Sequence, residues 1–209
     1  MSVLQNLGRS ALCITQGYLL GSLNTGIILS KSLYHRDIRN EGSGNAGATN
    51  MARTFGWESG LAVLLGDMLK TEVAVAIGRK LVPGVKGLVL SGLSCLVGHC
   101  RPAFYQHRGG KGVSVGAALA LILDPKVFGS GILTFLMGAL TSHKVSVGSI
   151  AAAASLPVSA ALAKKSTLCL VFTGYIAAII LYRHRGNIQR LLKKEEPDFH
   201  FGSAVESIS

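Results

Sequence analysis

The chain has 209 residues, of which 49% are hydrophobic and only 15% charged, and its mean hydropathy is +0.44. That balance excludes an ordinary soluble domain of this length and makes lipid the expected solvent. The net charge of +11 invites a nucleic-acid reading, but the basic residues fall in short loops between apolar stretches, so no nucleic-acid partner is expected.

In chain order, apolar stretches run over 11–33, 57–78, 84–100, 112–123, 127–143, 147–163 and 167–182. They predict an all-α, polytopic membrane protein with about seven transmembrane helices in a single domain, 1–209. Several stretches, 112–123 above all, fall short of the roughly 20 residues needed to cross a bilayer upright. With the N-terminus outside, the inward-facing segments hold thirteen Lys and Arg against seven in the outward-facing ones. Positively charged loops resist translocation, so the bias predicts an outside N-terminus and a cytoplasmic C-terminus. The first apolar stretch has no clear cleavage site and is read as a retained helix. Cys13, Cys95, Cys100 and Cys169 lie in or beside apolar stretches without C-x-x-C pairing, which predicts reduced, structural thiols.

The first polar island, RNEGSGNAGATN at 39–50, satisfies G-x-G-x-x-G through Gly42, Gly44 and Gly47. A dinucleotide fingerprint must follow a buried strand, and HRDIRNE is no strand. The glycines still let the backbone turn its N–H groups onto an anion. Ser43, Asn45, Thr49 and Asn50 add donors, and Arg39 and Arg53 flank the loop with positive charge. A solvated turn is the alternative, but this donor density exceeds what a turn requires.

The second island, GHCRPAFYQHRGGKGVSVG at 98–116, is not a nucleoside-triphosphate loop, because Tyr105 and Gly112 stand where that motif needs Gly and Ser or Thr. Its Gly109-Gly110-Lys111-Gly112 turn puts an ammonium at the start of the next apolar helix, whose dipole favours an anion. Lys111 as an interfacial lysine reaching headgroups is an equal alternative. The third island joins HKVSVGS at 143–149 to YRHRGNIQRLLKKEE at 182–196. On a helix His184 and Asn187 share a face, a titratable ring beside an amide. Lys193 and Lys194 read as an orientation signal or a contact with anionic lipid. All three islands fall on one side of the membrane, so they predict one pocket for a ligand with more than one phosphate or phosphate-like group.

The stretches GSLNTG, DIRNEGSGNAGATNMARTFG, DMLK, GHCRPAFYQHRGGKGV, VSVGS and RHRGNIQRLL, in this order over about 21–192, resemble the bacterial integral-membrane glycerol-3-phosphate acyltransferases of the PlsY type. The resemblance implies transfer of a fatty acyl group from acyl phosphate to the 1-hydroxyl of sn-glycerol 3-phosphate, giving lysophosphatidic acid and phosphate. It also implies a cytoplasm-facing site in the bacterial cytoplasmic membrane, no metal or organic cofactor, and an upstream enzyme forming the acyl phosphate. Carried over by motif, Ser43, Thr49, Arg53, Lys111, Ser146, His184 and Asn187 are its phosphate-handling and catalytic positions. Asn45, Gly110 and Arg39 join them as pocket candidates.

Acyl phosphate is already activated, so positioning and charge stabilisation suffice and no covalent acyl-enzyme is expected. The proton acceptor is either a substrate phosphate oxygen, which the resemblance favours, or His184. Arg101, His107, Thr71 and Lys194 depart from the family's usual residues, and no role is carried onto Glu196. Asp67 and Lys70 read as a structural ion pair near the interface or as a lining of the bundle interior. The rival class is a phosphate-ester transporter or anion-binding membrane protein, against which the chain shows no two similar halves.

Overall fold

The structure, a computed structural model, describes residues 3–199. Among these residues there are ten α-helices and no strand: α1 Val3–Ser22, α2 Thr25–Tyr34, α3 Ala48–Phe55, α4 Trp57–Leu81, α5 Val85–Cys100, α6 Val113–Leu123, α7 Pro125–Ser142, α8 Val145–Leu162, α9 Thr167–Arg183 and α10 Arg185–Leu192. Single 3-10 turns at Ile38–Asn40 and Ala103–Tyr105 punctuate two of the connections. The all-helical expectation holds.

Three boundaries differ from the hydropathy pattern. The first apolar stretch is interrupted at Asn24, which is fully buried and whose Oδ1 caps α2 by accepting from Ile27 N at 3.2 Å. An N-cap residue leaves the helical backbone conformation, so a polar residue beats the surrounding apolar run. The connection between the apolar stretches 11–33 and 57–78 contains α3, which Gly56 separates from α4 at φ +93°, a conformation that favours glycine. The third boundary is at His184, where α9 and α10 meet at 57°.

By length and apolarity, Val3–Tyr34 and Val145–Leu162 can each cross a membrane, and α9 with α10 makes a third if that bent pair is one span. The count of seven is not reached on this criterion: α5, with 16 residues, and α7 also fall outside it, and two of the shortfalls have a plain physical reason. α4 carries Asp67, Lys70 and Glu72 along its middle, and α6 has 11 residues, which at 1.5 Å each gives a rod of about 16 Å.

The core joins α4, α5, α6, α8 and α9 around Phe172, Leu96, Leu119 and Ile176. α1 packs against α5 through Gly17 and Gly21, one turn apart. A Cβ at these positions would lie 2.6 Å from Ser91 O and 2.1 Å from Cys95 O. Small residues four apart let backbones approach in this way, as helices in lipid require. Leu133, Leu136, Met137, Leu140 and Leu162 remain exposed on the outside, a surface suited to hydrocarbon rather than water. This architecture brings one end of α3, α6, α8 and α10 together.

Candidate active site

A cavity of about 450 Å³ opens between these four helix starts, lined by Ala48 and Thr49 of α3, Val113 and Ser114 of α6, Val145 and Ser146 of α8, and Asn187 in the first turn of α10. Unpaired N–H groups and the positive ends of the helix dipoles converge there, which favours an anion.

The loop before α3 presents Ser43 to Gly47, and Asn50, in the first turn of α3, ties it down. Asn50 Oδ1 accepts from Ser43 N at 2.9 Å, while its Nδ2 donates to Ile38 O at 3.2 Å and to Glu41 O at 2.9 Å. The side chain is buried and supplies what a fixed polar turn needs. Gly42 has φ +51°, and a Cβ there would lie 2.5 Å from Asn50 Oδ1.

The loop before α6 is held from two sides. Gly110 N donates to His99 O at 3.1 Å, and Arg183 on α9 donates to Gly110 O at 3.2 Å and Gly109 O at 3.1 Å. Lys111 Nζ donates to Asn187 Oδ1 at 2.6 Å, Asn187 Nδ2 to Glu196 Oε1 at 2.6 Å, and Arg190 Nε to Glu196 Oε2 at 2.8 Å. Burial pushes the Lys111 ammonium down to about 8; Glu196 opposes that, and Arg190, Arg183 and Arg53 reinforce it. Burial raises the Glu196 carboxyl, but hydrogen bonding from Ser146, Asn187 and Arg190 outweighs it and holds the group below the usual carboxylate range. Ser146 Oγ is otherwise buried without a partner of good geometry.

His184 is buried, and its Nδ1 lies 2.8 Å from Ile180 O. A carbonyl only accepts, so Nδ1 carries the proton and Nε2 is the acceptor of a neutral ring.

Ser43, Asn45, Thr49, Arg53, Lys111, Ser146, His184 and Asn187 thus line one cavity, although they come from three separated islands. Two predicted positions do not line it. Arg39 pairs with Asp37 at 2.7 Å and donates to Tyr105 O at 2.9 Å. Gly110 lies behind the Lys111 loop against the His99 ring. Sequence reasoning assigned nothing to Arg190, His99, Ser114 or Glu196, all of which line the cavity. The tail brings Glu196 there: Phe199 N donates to His143 O at 2.9 Å, Asp198 pairs with Lys144, and Arg53 sits 5.9 Å over the Phe199 ring.

An apolar groove continues from the cavity, sharing Val113, Phe135 and Ser149 with it and running between Gly116, Ala120, Phe128, Gly131, Ala152 and Leu156. Among the described residues no group of three or more His, Cys, Asp or Glu is gathered to hold a metal.

The family described as glycerol-3-phosphate acyltransferase matches residues 11–194. The chain belongs to the glycerol-3-phosphate acyltransferase family. A glycerol-3-phosphate acyltransferase of Desulforudis audaxviator is 38% identical over 191 residues, covering 91% of this chain and 96% of its own. The one from Geobacillus kaustophilus is 39% identical over 188 residues, with 90% and 95% covered. The fold matches crystal structures of PlsY, an integral membrane glycerol 3-phosphate acyltransferase. Its glycerol 3-phosphate form gives a TM-score of 0.85 at 34% identity, covering 91% of this chain and 96% of that one. Its lysophosphatidic acid form gives 0.83 at 32%, with 91% and 95% covered. The chain is a membrane-embedded acyltransferase of the PlsY type, as its six ordered motifs imply.

Proposed function

We propose that the chain transfers a fatty acyl group from acyl phosphate to the 1-hydroxyl of sn-glycerol 3-phosphate, giving 1-acyl-glycerol 3-phosphate (lysophosphatidic acid) and inorganic phosphate, the first step of phospholipid synthesis. Membership of the family supports acyl transfer to glycerol 3-phosphate. The observation that carries the donor is the junction of a cationic cavity with an apolar groove at Val113, Phe135 and Ser149. An acyl phosphate has that shape, an anionic head on a hydrocarbon chain.

In this reading Lys111 and Arg53 neutralise the phosphates, and Ser43, Thr49 and the N–H groups opening α3 and α6 hold the donor head. Asn45 lines the same wall. Asn187, His184 and Ser146 orient glycerol 3-phosphate. The 1-hydroxyl oxygen attacks the acyl carbonyl carbon, the bond from that carbon to the phosphate oxygen breaks, and the hydroxyl proton passes to a phosphate oxygen of the donor. Phosphate is a good leaving group, so the helix termini and Lys111 need only stabilise developing charge, without a covalent acyl-enzyme, a metal or an organic cofactor. A His184→Gln variant that binds both substrates yet fails to turn over at any pH would transfer the proton-accepting role to the histidine.

The same reading takes 1–209 as one domain of seven spans in the bacterial cytoplasmic membrane. Its N-terminus lies outside, its site faces the cytoplasm, and an upstream enzyme supplies acyl phosphate. The thirteen-to-seven bias of Lys and Arg supports the orientation. Incubating detergent-purified protein with glycerol 3-phosphate and either palmitoyl phosphate or palmitoyl-CoA tests the chemistry. Lysophosphatidic acid and phosphate form from acyl phosphate alone; product from palmitoyl-CoA alone overturns the donor assignment.

A further inference from the structure

Asp67, Lys70 and His99 form a buried chain of contacts that ends at the cavity wall. Asp67 is fully buried, and its Oδ1 accepts from Lys70 Nζ at 2.7 Å and from Thr25 Oγ1 at 2.9 Å. Lys70 Nζ also donates to Leu23 O at 2.9 Å, in the break between α1 and α2, and contacts His99 Nδ1 at 3.1 Å. An ammonium has three N–H donors and accepts nothing. With Asp67, Leu23 and His99 all three are used, so His99 Nδ1 is the acceptor and its proton sits on Nε2.

That Nε2–H is unspent. His99 is 2% exposed, every contact of its ring nitrogens with a neighbouring polar group is through Nδ1, and Nε2 is not among the sealed, unpartnered atoms of the interior. The residue lines the cavity beside Lys111. Its ring edge reaches that wall only because position 110 has no side chain, since a Cβ at Gly110 would lie 2.1 Å from His99 Nε2. A donor left open at a cavity wall is available for a ligand oxygen to complete.

We propose that His99 is a substrate-contacting residue of this site, whose Nε2–H, fixed in that tautomer by Lys70 and Asp67, donates to a phosphoryl oxygen held at Lys111. The assignment rests on reading the cavity as a phosphoryl site. Asp67 and Lys70 are positioning residues in it, acting through the ring, which gives that buried ion pair a purpose beyond packing.

Two measurements test this. In protein labelled with 15N-histidine, the apo His99 ring gives Nε2 protonated and Nδ1 unprotonated, and inorganic phosphate shifts Nε2. Phosphate that shifts the His184 signals but leaves His99 unmoved overturns the proposal alone. Phosphate that moves neither, in protein that makes no product from acyl phosphate, overturns the phosphoryl reading with it.

In turnover, His99→Leu lowers kcat/KM for acyl phosphate by about 100-fold, the effect of losing one preorganised donor. His99→Gln, whose amide N–H reaches near the Nε2 position, restores at least tenfold of that about 100-fold loss. A folded His99→Leu protein with wild-type turnover overturns the proposal. Should that variant not fold, His99→Asn decides, because it keeps an acceptor for Lys70 but falls short of the cavity; wild-type turnover there overturns it equally.

Discussion

Lys111 Nζ lies 2.6 Å from Asn187 Oδ1, joining the loop before α6 to the first turn of α10 across 76 positions of sequence. Each partner is incomplete alone. Lys111 has a desolvated charge, and Asn187 is held at its other end by Glu196, itself clamped by Arg190. The ammonium therefore waits in a fixed place, with one hydrogen bond that an arriving phosphate can replace.

The depressed Lys111 value sets opposite pH trends for activity and stability. Its folded value of about 8 lies below the ordinary lysine value. Raising the pH through 8 therefore removes a proton that the unfolded chain keeps to about 10.4. The unfolded state binds more protons in that window, so this group's contribution to stability rises with pH while phosphate capture falls. We expect kcat/KM for glycerol 3-phosphate to drop above pH 8 as thermal stability holds or improves. Lys111→Arg removes the alkaline drop at a lower overall rate, because a guanidinium is planar and does not fit an ammonium's place.

Glu196→Gln moves the same alkaline limb to lower pH, because the carboxylate is the group that raises Lys111. Comparing pH profiles of kcat/KM for the variant and the parent measures this directly. An unmoved limb would mean that the two groups are not coupled.

Asn50→Ala leaves Ser43 N without its acceptor and Ile38 O and Glu41 O without their donor. The Ile38 carbonyl is buried, and leaving such a group unpaired costs about 1–3 kcal/mol, whereas water can replace the amide at the exposed Ser43 and half-buried Glu41. A lower melting temperature is expected, together with a higher KM for the acyl donor because the Ser43 loop is no longer held. A loss of kcat with KM unchanged would place Asn50 in a different role.

Ala152→Leu narrows the apolar groove and shifts preference toward shorter acyl chains. Each methylene excluded from the groove costs about 0.8 kcal/mol, or about fourfold in kcat/KM. Competition between lauroyl and palmitoyl phosphate reads this out. An unchanged ratio would remove the groove as the chain-length determinant.

Much of the site was legible because its chemistry lies in short, contiguous islands. Ser43, Thr49 and Arg53 declare themselves by glycine and donor density; His184 and Asn187 were paired by helical spacing and do line one cavity, although His184 sits at the break between α9 and α10 rather than on one helix with Asn187. The loop at 109–112 fixed where a helix starts, and α6 begins there. What escaped depends on packing. Asn24 breaks the first apolar stretch through a cap that hydropathy cannot register, and that break supplies the Leu23 carbonyl that binds Lys70. Glu196 gave no sequence signal, since a carboxylate in a basic tail looks like solvated charge until the chain folds back to Asn187. Arg39 was over-read for the opposite reason. Its neighbour Asp37 satisfies it locally, two residues away.

The groove has a consequence for where the reaction's free energy is spent. Ile132 lines it and is itself 41% exposed on the outside of α7, beside the exposed Leu133, Leu136 and Met137, so the groove borders a surface suited to hydrocarbon. In the proposed reaction a fatty chain entering along this side would not pass through water. Extracting a chain of about 15 methylenes into an aqueous pocket would cost about 12 kcal/mol at 0.8 kcal/mol each. On that reading only the two ionic heads are handled on the aqueous side, and a product leaving along the same apolar groove is delivered straight to the bilayer.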